Sequence, residues 1–590
     1  MAIDTSQTPA DSPVAPPKLG SFAGVTWQFE GEALPGLSES ADDRLPLDRW
    51  CDEGRLAVVK HGAHRTVYRV DAPAGTYFLK QQRLRGWADW IRACLRPHAS
   101  RREFVKANEI TRREVPTIRA LAWGERRQLG VLREHFLLSD AFPNACSLQA
   151  YLQAPDQFAG EQDRAACDRA IAVALARLCA AAHRAGVFHN DLHPGNILIR
   201  RDSLVPSRDV AADAARVACS PELCLIDVPG ARLSRPLGWR RSRASLAMLL
   251  AALQRHASLA LCLWFWRAYQ AERPELSEVS ARLAARELAA ACRAQTRRLA
   301  RQRDKRAWGV NHEFRKLRLQ GRRGHATADV AGNVLEGIVG RPEQLLVENV
   351  DRPLKLSHSS VVVEAELEVE GRSRRVLFKR CAAPSWSGWL VDLVRGSRAA
   401  KGWFLGHALR ARGIHTSRPL IVVVPDWYRW RQPSYLVSEW IEDAENLHLY
   451  GWHLARLSPA EQFARARRCA AVLGQLIGRM HDARVAQRDL KGCNILVVDR
   501  DERPECYVID FHGMRIRRWL SKRQRVENLS RLAVSIEMHP WVTRTMRLRF
   551  LRAYCQQFLV AEDWKSLWRS VAVKTERRLR HIHRRGKRIA

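Results

Sequence analysis

The sequence lacks the cysteine pairs that mark disulfide-rich or zinc-binding proteins. Its 14 cysteines are spread singly along 590 residues, with no CxxC pair and no dense framework. This spacing favours free thiols in a reducing compartment over disulfides or a structural zinc site. The cysteines therefore argue against a small secreted scaffold and predict a cytoplasmic protein.

Long apolar runs are also missing. The first 20 residues, MAIDTSQTPADSPVAPPKLG, are rich in Pro, Ala and Ser and contain no apolar core, so we expect a disordered tail and no signal peptide. The most apolar stretch, Ala244–Trp266, is interrupted by Gln254, Arg255 and His256. That interruption favours a buried helix over a membrane span. We therefore expect a soluble or peripheral protein.

Acidic residues are scarce relative to basic ones. The chain has 62 Asp and Glu against 98 Lys and Arg, which gives a net charge of +36. A charge of this size favours anionic partners such as a nucleotide, a nucleic acid, an anionic lipid or a phosphorylated glycan. The alternative is a solvated, Arg-rich surface without a specific partner. With 46% hydrophobic residues the chain is globular, and its length suits three or four average domains or two larger ones.

The chain repeats itself, and the repeat decides between these architectures. VFHNDLHPGNILIRRD around Asp191 resembles VAQRDLKGCNILVVDRD around Asp489, 298 residues later, and His183 and His481 keep the same offset. YFLKQQR and VLFKRC place Lys80 and Lys379 at an offset of 299 residues. Several matches in one order and at nearly one offset predict a duplicated domain.

Each copy shows the same order of predicted elements. Alternating β-branched and apolar residues predict paired strands, and Ala/Leu periodicity predicts helices. The predicted strands are Thr66–Val70 and Thr76–Lys80 in the first copy, and Val361–Val369 and Arg375–Lys379 in the second. The predicted helices are Ser100–Arg113 and Cys167–Arg184 in the first copy, and Arg398–Arg412 and Ala464–Arg484 in the second.

After the second helix, each copy has a short strand and then an apolar strand that ends in Asp. Asp191 and Asp227 are 36 residues apart, whereas Asp489 and Asp510 are 21 apart. The 15 extra residues of the first copy lie within RDSLVPSRDVAADAARVACS, which we interpret as a surface loop. The domain prediction is a disordered tail at 1–20, a domain at 21–296, a basic linker at 297–345 and a second domain at 346–590.

The residues that recur in the same order in both copies match the needs of phosphoryl transfer. That reaction needs a cation on the phosphates of ATP, ligands for Mg²⁺ and a carboxylate beside the attacking hydroxyl. In D-x-x-x-x-N, the Asp can orient the acceptor and the Asn can hold a metal, while the strand-ending Asp completes the metal site. A lone D-x4-N is a weak signal, but the pattern occurs twice, each time with a strand Lys before it and a strand-ending Asp after it.

The chain resembles the protein-kinase-like superfamily over most of residues 50–270 and 350–560. Within it, the chain is similar to the lipopolysaccharide kinase family of the WaaP/InaA type. That closer resemblance rests on SRREFVKANEITRREVPTIRALAWGE in copy one and SRAAKGWFLGHALRARGIHTSRPL in copy two, where a helix leads into V/I-x-T-x-R-x-L. It implies an α+β fold of two tandem kinase-like domains, each with a small β-rich N-lobe and a larger, mainly helical C-lobe.

The resemblance also implies roles for individual residues, with ATP and Mg²⁺ as cofactors. The implied catalytic residues are Asp191 and Asp489, and the implied metal ligands are Asn196, Asp227, Asn494 and Asp510. The residues implied to bind ATP are Lys80, Glu103 as its partner, and the hinge residues Ser139 and Asp140 in copy one, with Lys379, Ser438 and Glu439 in copy two.

Copy two departs from this pattern in two places. Gly402 stands where alignment with Glu103 places an acid, and Lys401 lies beside it. Gln487 replaces His189 before the catalytic Asp. Copy one is therefore predicted to be active, whereas copy two is either a second active site or a pseudokinase. We keep His183 and His481 as packing residues in both copies.

Neither copy has a full glycine-rich loop or a DFG triplet. The loop positions read His61-Gly-Ala-His and Ser357-His-Ser-Ser, and the triplets read Asp227-Val-Pro and Asp510-Phe-His. Phosphate covering by this loop is therefore unsupported by the sequence.

Basic segments near each predicted site suggest an anionic acceptor. They contain Arg232, Arg235, Arg240, Arg241 and Arg243 in copy one, and Arg515, Arg517, Arg518, Lys522, Arg523 and Arg525 in copy two. Guanidinium groups there can bind phosphate or carboxylate bidentately, or they form a solvated face. The C-terminal run KTERRLRHIHRRGKRIA, with Trp564 and Trp568, suits an anionic inner-membrane surface, non-specific nucleic acid or no partner.

Three functions remain open from the sequence. The first is a kinase for a heptose or Kdo hydroxyl of the lipopolysaccharide core, working in the cytoplasm at the inner face of the inner membrane, with no specific nucleic acid. The second is a kinase for a small molecule or a protein, because HNDLHPGN also resembles aminoglycoside and choline kinases. The third is a non-catalytic tandem pseudokinase scaffold.

Overall fold

The computed structural model describes residues 18–29, 45, 47–62, 65–73, 75–84, 97–157, 164–204, 219–253, 258–276, 281–383, 385, 389, 392, 396–429, 431–511, 513–558 and 563–585. The chain forms two compact units, Met1–Gln295 and Thr296–Ala590, here called domain 1 and domain 2.

Domain 1 begins with a seven-stranded antiparallel sheet in the spatial order β1-β2-β6-β7-β5-β4-β3. The strands are β1 (Lys18–Phe22), β2 (Val25–Phe29), β3 (Leu56–His61), β4 (Arg65–Ala72), β5 (Gly75–Arg83), β6 (Ala120–Gln128) and β7 (Val131–Asp140). Helix α1 (Leu47–Asp52) precedes β3, and α2 (Ala99–Arg112) lies between β5 and β6. Trp27, Leu79 and Phe136 are fully buried in the core of this lobe, because apolar residues alternate along the strands that carry them.

The second lobe of domain 1 is mainly helical. Its helices are α3 (Leu148–Gln153), α4 (Arg164–Arg184), α5 (Trp239–Leu253), α6 (Leu259–Ala271) and the first part of α7 (Ala281–Arg306), whose residues from Thr296 onward belong to domain 2. Its short strands are β8 (Ala145–Ser147), β9 (Val187–Phe188), β10 (Ile197–Arg200), β11 (Leu223–Leu225) and β12 (Arg232–Leu233). Strands β8, β10 and β11 form one small sheet, and β9 pairs with β12. The loops that follow β9 and β11 are therefore anchored by paired strands.

Domain 2 repeats the seven-stranded sheet in the order β13-β14-β18-β19-β17-β16-β15. The strands are β13 (Phe314–Leu319), β14 (Arg322–Thr327), β15 (Pro353–Ser357), β16 (Ser360–Val369), β17 (Arg372–Cys381), β18 (Pro419–Pro425) and β19 (Ser434–Glu439). Helices α8 (Gly332–Gly340), α9 (Gln344–Glu348) and α10 (Arg398–Ala411) belong to this part of the chain.

The helical lobe of domain 2 follows the same order as that of domain 1. Its helices are α11 (Leu447–Leu454), α12 (Pro459–Asp482), α13 (Lys522–Ile536), α14 (Arg544–Cys555) and α15 (Trp564–Arg584). Its strands are β20 (Glu445–Asn446), β21 (Val485–Gln487), β22 (Ile495–Arg500), β23 (Arg503–Val508) and β24 (Met514–Ile516). The predicted two-lobed α+β fold, present twice, is therefore confirmed.

The predicted basic linker at 297–345 is wrong. This segment contains the end of α7, strands β13 and β14 and helix α8, and β14 pairs with β18 inside the sheet of domain 2. The basic side chains misled the prediction because Arg315, Lys316 and Arg318 of β13 are exposed, as in a linker, whereas Ala326, Leu335 and Val339 enter the core. Only long-range strand pairing reveals that the segment is structural.

Three other predictions fall at the edge of the described residues. Residues 1–17 of the predicted tail lie outside them, and residues 18–20 form the start of β1. Most of the predicted surface loop, 205–218, also lies outside them. The apolar stretch Ala244–Trp266 belongs to α5 and α6 on either side of residues 254–257, which are not described. Among the helices that are described, none has the length and apolar character needed to cross a membrane.

Two candidate active sites

The predicted catalytic loop of domain 1 is fixed to the predicted metal strand by Asn196. Its side-chain nitrogen donates to the carbonyl oxygen of Asp191 at 2.9 Å, and its own carbonyl accepts from the backbone nitrogen of Ile226 at 3.0 Å. Ile226 directly precedes Asp227, so Asn196 links both aspartates. The Asp191 side chain is 80% exposed and therefore open to an acceptor.

Domain 2 reproduces this arrangement. Asn494 donates to the carbonyl oxygen of Asp489 at 2.9 Å and accepts from the backbone nitrogen of Ile509 at 3.0 Å. Asp510 follows Ile509. The predicted metal ligands and catalytic residue are thus brought together in both domains by the same two hydrogen bonds.

Asp227 and Asp510 share a backbone conformation that non-glycine residues rarely adopt. Their φ angles are 58° and 60°, in the left-handed region. Such a conformation costs about 1 kcal/mol or more and persists where the surrounding structure enforces it, often at functional sites. The same strain at the same position in both domains supports a chemical role for these two carboxylates.

Thr117 and Thr416 position the strands that end in these aspartates. The Thr117 hydroxyl donates to the carbonyl oxygen of Leu225 at 2.8 Å, and the Thr416 hydroxyl donates to that of Val508 at 2.6 Å. Both threonines belong to the V/I-x-T-x-R-x-L motif that follows the helix. The sequence showed this motif, but only the structure shows that its threonines hydrogen bond to the strands that precede Asp227 and Asp510.

Lys80 forms the predicted ion pair with Glu103. Lys80 lies on β5, Glu103 lies in the first turns of α2, and their side chains are directly hydrogen bonded. The side chains are only 19% and 10% exposed, so the pair is shielded from solvent. This pair holds an ammonium group at the sheet face, where it can contact phosphates.

Domain 2 lacks this pair, because a glycine that packs against the sheet stands at the position of the glutamate. Helices α2 and α10 both have 14 residues, and their N-caps, His98 and Ser397, keep the offset of 299 that aligns Glu103 with Gly402. A Cβ atom on Gly402 would lie 2.6 Å from Cδ2 of Leu436, so the helix packs directly on the sheet there. Among the described residues, Lys379 has no ion-pair partner.

The exchange of His189 for Gln487 keeps only one of the two side-chain hydrogen bonds at this position. His189 is buried, accepts from the backbone nitrogen of Asp191 at 3.2 Å and donates from Nε2 to the carbonyl oxygen of Ile226 at 3.2 Å. Burial lowers the pKa of His189, which favours the neutral ring that this pattern needs. Gln487 is also buried and donates to the carbonyl oxygen of Asp510 at 2.9 Å, so it keeps the contact with the strand that ends in Asp510. Its side-chain oxygen has no hydrogen-bond partner among the described residues, so it makes no bond to the Asp489 loop.

The predicted hinge residues lie at the ends of β7 and β19. Ser139 and Ser438 are buried within the sheets. The backbone nitrogen of Asp140 donates to Arg119 at 3.0 Å, and that of Glu439 donates to Arg418 at 2.8 Å. These two nitrogens are therefore already bonded within the protein. Burial raises the pKa of Asp140, although the charge of Arg119 opposes the shift.

Several site residues were missed by the sequence reasoning. Arg65, at the start of β4, places a guanidinium nitrogen 3.9 Å from the Asp227 carboxylate. His193 lies 3.7 Å from the Asp191 carboxylate, and Lys491, at the equivalent position, lies 3.4 Å from that of Asp489. The position two residues after each predicted catalytic Asp was visible in the sequence, whereas the position of Arg65 depends on the hairpin β3–β4.

The donors present suit Mg-ATP chemistry of the kinase type. In such sites a carboxylate and an amide supply part of the Mg²⁺ coordination, and phosphate and water oxygens supply the rest. Asp227 with Asn196, and Asp510 with Asn494, provide this donor set. Within the described part of the chain, no group of three or more His, Cys, Asp or Glu side chains is arranged to hold a metal alone.

A cleft of about 1140 Å³ lies beside the site of domain 2. Lys379, from the N-lobe, and Asp510, from the C-lobe, both line it. The two lobes of this domain therefore enclose a space that is large enough for a nucleotide and part of an acceptor.

Together, the two lobes, the strand Lys and the paired candidate catalytic loops define a kinase-like phosphotransferase. A sequence profile described as "Lipopolysaccharide kinase (Kdo/WaaP) family" matches residues 50–269 and 387–554. The chain belongs to this family, and it is a kinase that acts on the lipopolysaccharide core and uses ATP.

The chain also shows a weak similarity to a solved structure. Among solved structures, a WaaP protein in complex with acyl carrier protein is similar to this chain at 22% identity with a TM-score of 0.31. The match covers 42% of this chain and 97% of that one. No curated protein sequence matches the chain.

Proposed function

We propose that the chain transfers the γ-phosphate of ATP to a heptose or Kdo hydroxyl of the lipopolysaccharide core, with domain 1 as the principal catalyst. The observation that favours domain 1 as the catalyst is the Lys80–Glu103 ion pair, which domain 2 lacks, and the acceptor class follows from the family. Domain 1 thus has a positioned cation together with Asp191 and the Asn196–Asp227 pair.

The residues of domain 1 have complementary tasks in this reaction. Lys80 neutralises phosphate charge, and Mg²⁺ held by Asn196 and Asp227 supplies further electrostatic stabilisation when it is bound. The exposed carboxylate of Asp191 accepts or orients the proton of the sugar hydroxyl. The buried His189 keeps the catalytic loop and the metal strand at a fixed separation.

We place the reaction in the cytoplasm at the inner face of the inner membrane. Helix α15 supports this placement, because it carries Arg577, Arg580 and Arg584 and exposes Trp564 (42%). A basic helix with an exposed Trp suits an anionic lipid surface, where each cation contributes about 1 kcal/mol. Specific nucleic-acid binding is not part of the proposal.

Transfer of labelled phosphate from ATP to lipopolysaccharide from a strain that lacks this protein tests the assignment. The full chain is compared with Asp191→Ala, Asp489→Ala and the double variant. We expect Asp191→Ala to lower transfer at least about 1000-fold, because it removes the group that orients the hydroxyl. We expect Asp489→Ala to retain most of it.

Other outcomes have definite meanings. Equal losses in the two single variants would show two working sites and overturn the special role of domain 1. ATP binding without transfer to any core preparation would favour a small-molecule or protein acceptor. Absence of ATP binding in both domains would favour the pseudokinase scaffold.

A further inference from the structure

Domain 2 presents three arginines on one face of a two-stranded ladder beside Asp489. In the β21–β24 pair, Ala486 lies opposite Arg515 and Gln487 lies opposite Met514. Because side chains alternate along a strand, Arg515 and Arg517 point to the same face. Arg488 is two residues after Ala486, and its backbone nitrogen donates to Gly513 at 3.1 Å, so it extends this face.

The other face of the ladder is buried. Val485 and Gln487 have no exposed surface, and Met514 is 5% exposed. The buried side chains fix which face of the ladder points to solvent, and the strand register keeps the three arginines on that solvent-exposed face. We call Arg488, Arg515 and Arg517 the arginine face. All three are exposed, and all three line the cleft that also contains Lys379 and Asp510.

No carboxylate of the described residues neutralises the arginine face. Ten Lys and Arg residues but only four Asp and Glu residues line the cleft. Three of those four acids are engaged by other cations. These pairs are Asp304 with Arg412, Asp392 with Lys401 and Glu527 with Arg531. Among the described residues, Arg488, Arg515 and Arg517 have no ion-pair partner.

Domain 1 does not have this face. The equivalent ladder pairs Phe188 with Arg232, which corresponds to Arg515. The positions of Arg488 and Arg517 are occupied by Asn190 and Ser234. Asn190 is hydrogen bonded to the carbonyl oxygen of Gly230, and the Ser234 hydroxyl donates to that of Arg235 at 2.9 Å. Two of the three arginines are therefore specific to domain 2.

Like charges on one face repel each other unless an anion is bound between them. Adjacent same-face positions on a strand are about 7 Å apart, and guanidinium groups can close on a single phosphate from that distance. Planar forks with several donors favour phosphate over a monovalent ion. The position beside Asp489 further limits the ligand to a group attached to, or near, the acceptor of domain 2.

We propose that the arginine face binds a phosphate group already attached to a sugar of the core oligosaccharide and presents that sugar beside Asp489. Domain 2 therefore takes a substrate that an earlier phosphoryl transfer has made anionic. This inference rests on the proposed function and adds an order to the two phosphoryl transfers. Domain 1 acts on an unmodified sugar, and domain 2 acts afterwards on a core that already carries a phosphate.

The test measures binding of core oligosaccharide to the full chain by isothermal titration calorimetry without ATP. Phosphorylated oligosaccharide is compared with the same material after phosphatase treatment. The variant is Arg515→Gln/Arg517→Gln. The matched control is Arg549→Gln/Arg552→Gln, which removes the same charge from exposed positions of α14 outside the cleft.

We expect the unmodified chain to bind the phosphorylated form about 10-fold more tightly or better, since charge-assisted bonds to a phosphate are lost in the treated form. Arg515→Gln/Arg517→Gln should reduce this preference to about 2-fold or less. The control should keep it. Arg515→Lys/Arg517→Lys keeps the charge but not the forked geometry, and it should keep only part of the preference.

Three results would overturn the inference. They are equal affinity of the unmodified chain for both oligosaccharides, a preference that survives in both arginine-face variants, and equal loss in the control. Competition by inorganic phosphate at the same concentration as the oligosaccharide would assign the face to free phosphate instead. If the Gln variant does not fold, the Lys variant decides the outcome.

Failure here is distinguishable from failure of the proposed function. The binding measurement needs no transfer, and transfer by domain 1 is measured separately with Asp489→Ala. Normal transfer without a binding preference would refute only the arginine face.

Discussion

The Lys80–Glu103 pair offers the sharpest test of how domain 1 works. Glu103→Gln keeps the shape of the side chain but removes its charge, and it leaves the Lys80 side chain, which is 19% exposed, without its anionic partner. Opposite charges in direct contact attract by about 5 kcal/mol at an effective dielectric constant of about 20. Desolvation offsets part of this, and removal of one partner of a shielded pair costs about 2–5 kcal/mol.

We expect this loss to fall mainly on catalysis. A displaced Lys80 no longer meets the phosphates, and a misplacement of about 1 Å costs about 100-fold in rate. The prediction is therefore a fall of about 100-fold in kcat/KM for ATP, which corresponds to about 2.7 kcal/mol of transition-state stabilisation. Steady-state transfer to core oligosaccharide is measured in the Asp489→Ala background, so that only domain 1 contributes.

Glu109→Gln is the matched control, because Glu109 lies on the same helix and its ion pair with Arg113 is one-third exposed. A pair exposed to that extent contributes less than about 1 kcal/mol, so activity should stay within about 2-fold of the parent. Thermal unfolding shows whether either variant is merely less stable. Activity of Glu103→Gln within about 2-fold of its parent, with KM for ATP unchanged, would refute the assigned role.

Two further predictions concern stability. Gly406→Ala should destabilise domain 2 by about 1–3 kcal/mol in urea unfolding, because its Cβ would lie 2.3 Å from Cγ of Pro419; an unchanged midpoint would contradict the close packing of α10. Burial lowers the pKa of His183 and His481 to about 3. As the pH falls below about 6.5, these two histidines therefore bind protons in the unfolded chain but not in the folded chain, which lowers the free energy of unfolding. Each should cost about 2 kcal/mol of stability between pH 6.5 and pH 5, and His183→Gln should show a correspondingly smaller loss over this interval than the unmodified chain.

The buried histidines also show which features a local sequence pattern predicts and which depend on contacts between distant segments. The sequence predicted His183 and His481 as packing residues, and both are buried with Nδ1 bonded to a Tyr hydroxyl, at 2.8 Å from Tyr269 and 2.9 Å from Tyr554. The partners are 86 and 73 residues away along the chain. Helical periodicity identifies a buried position, whereas the identity of its partner depends on how distant helices pack.

The sequence by itself determined the duplication and the two-lobed fold, and it located the two candidate catalytic loops. It could do so because D-x-x-x-x-N and the strand-ending Asp act over short distances, where residue spacing dictates geometry. The Asn196 and Asn494 hydrogen bonds to the predicted catalytic aspartates span only five residues. Repetition of the pattern then removed the ambiguity of any single match.

Only the tertiary structure decided which residues surround those loops. The pairing of β14 with β18 turned a predicted linker into part of a sheet, and the packing of Gly402 against Leu436 showed how closely α10 lies on the sheet where domain 1 has Glu103. The β21–β24 register gathered the arginine face in the same way. These contacts join segments that are distant in sequence, and strand register and side-chain packing between such segments are set by the folded core, which no local pattern encodes.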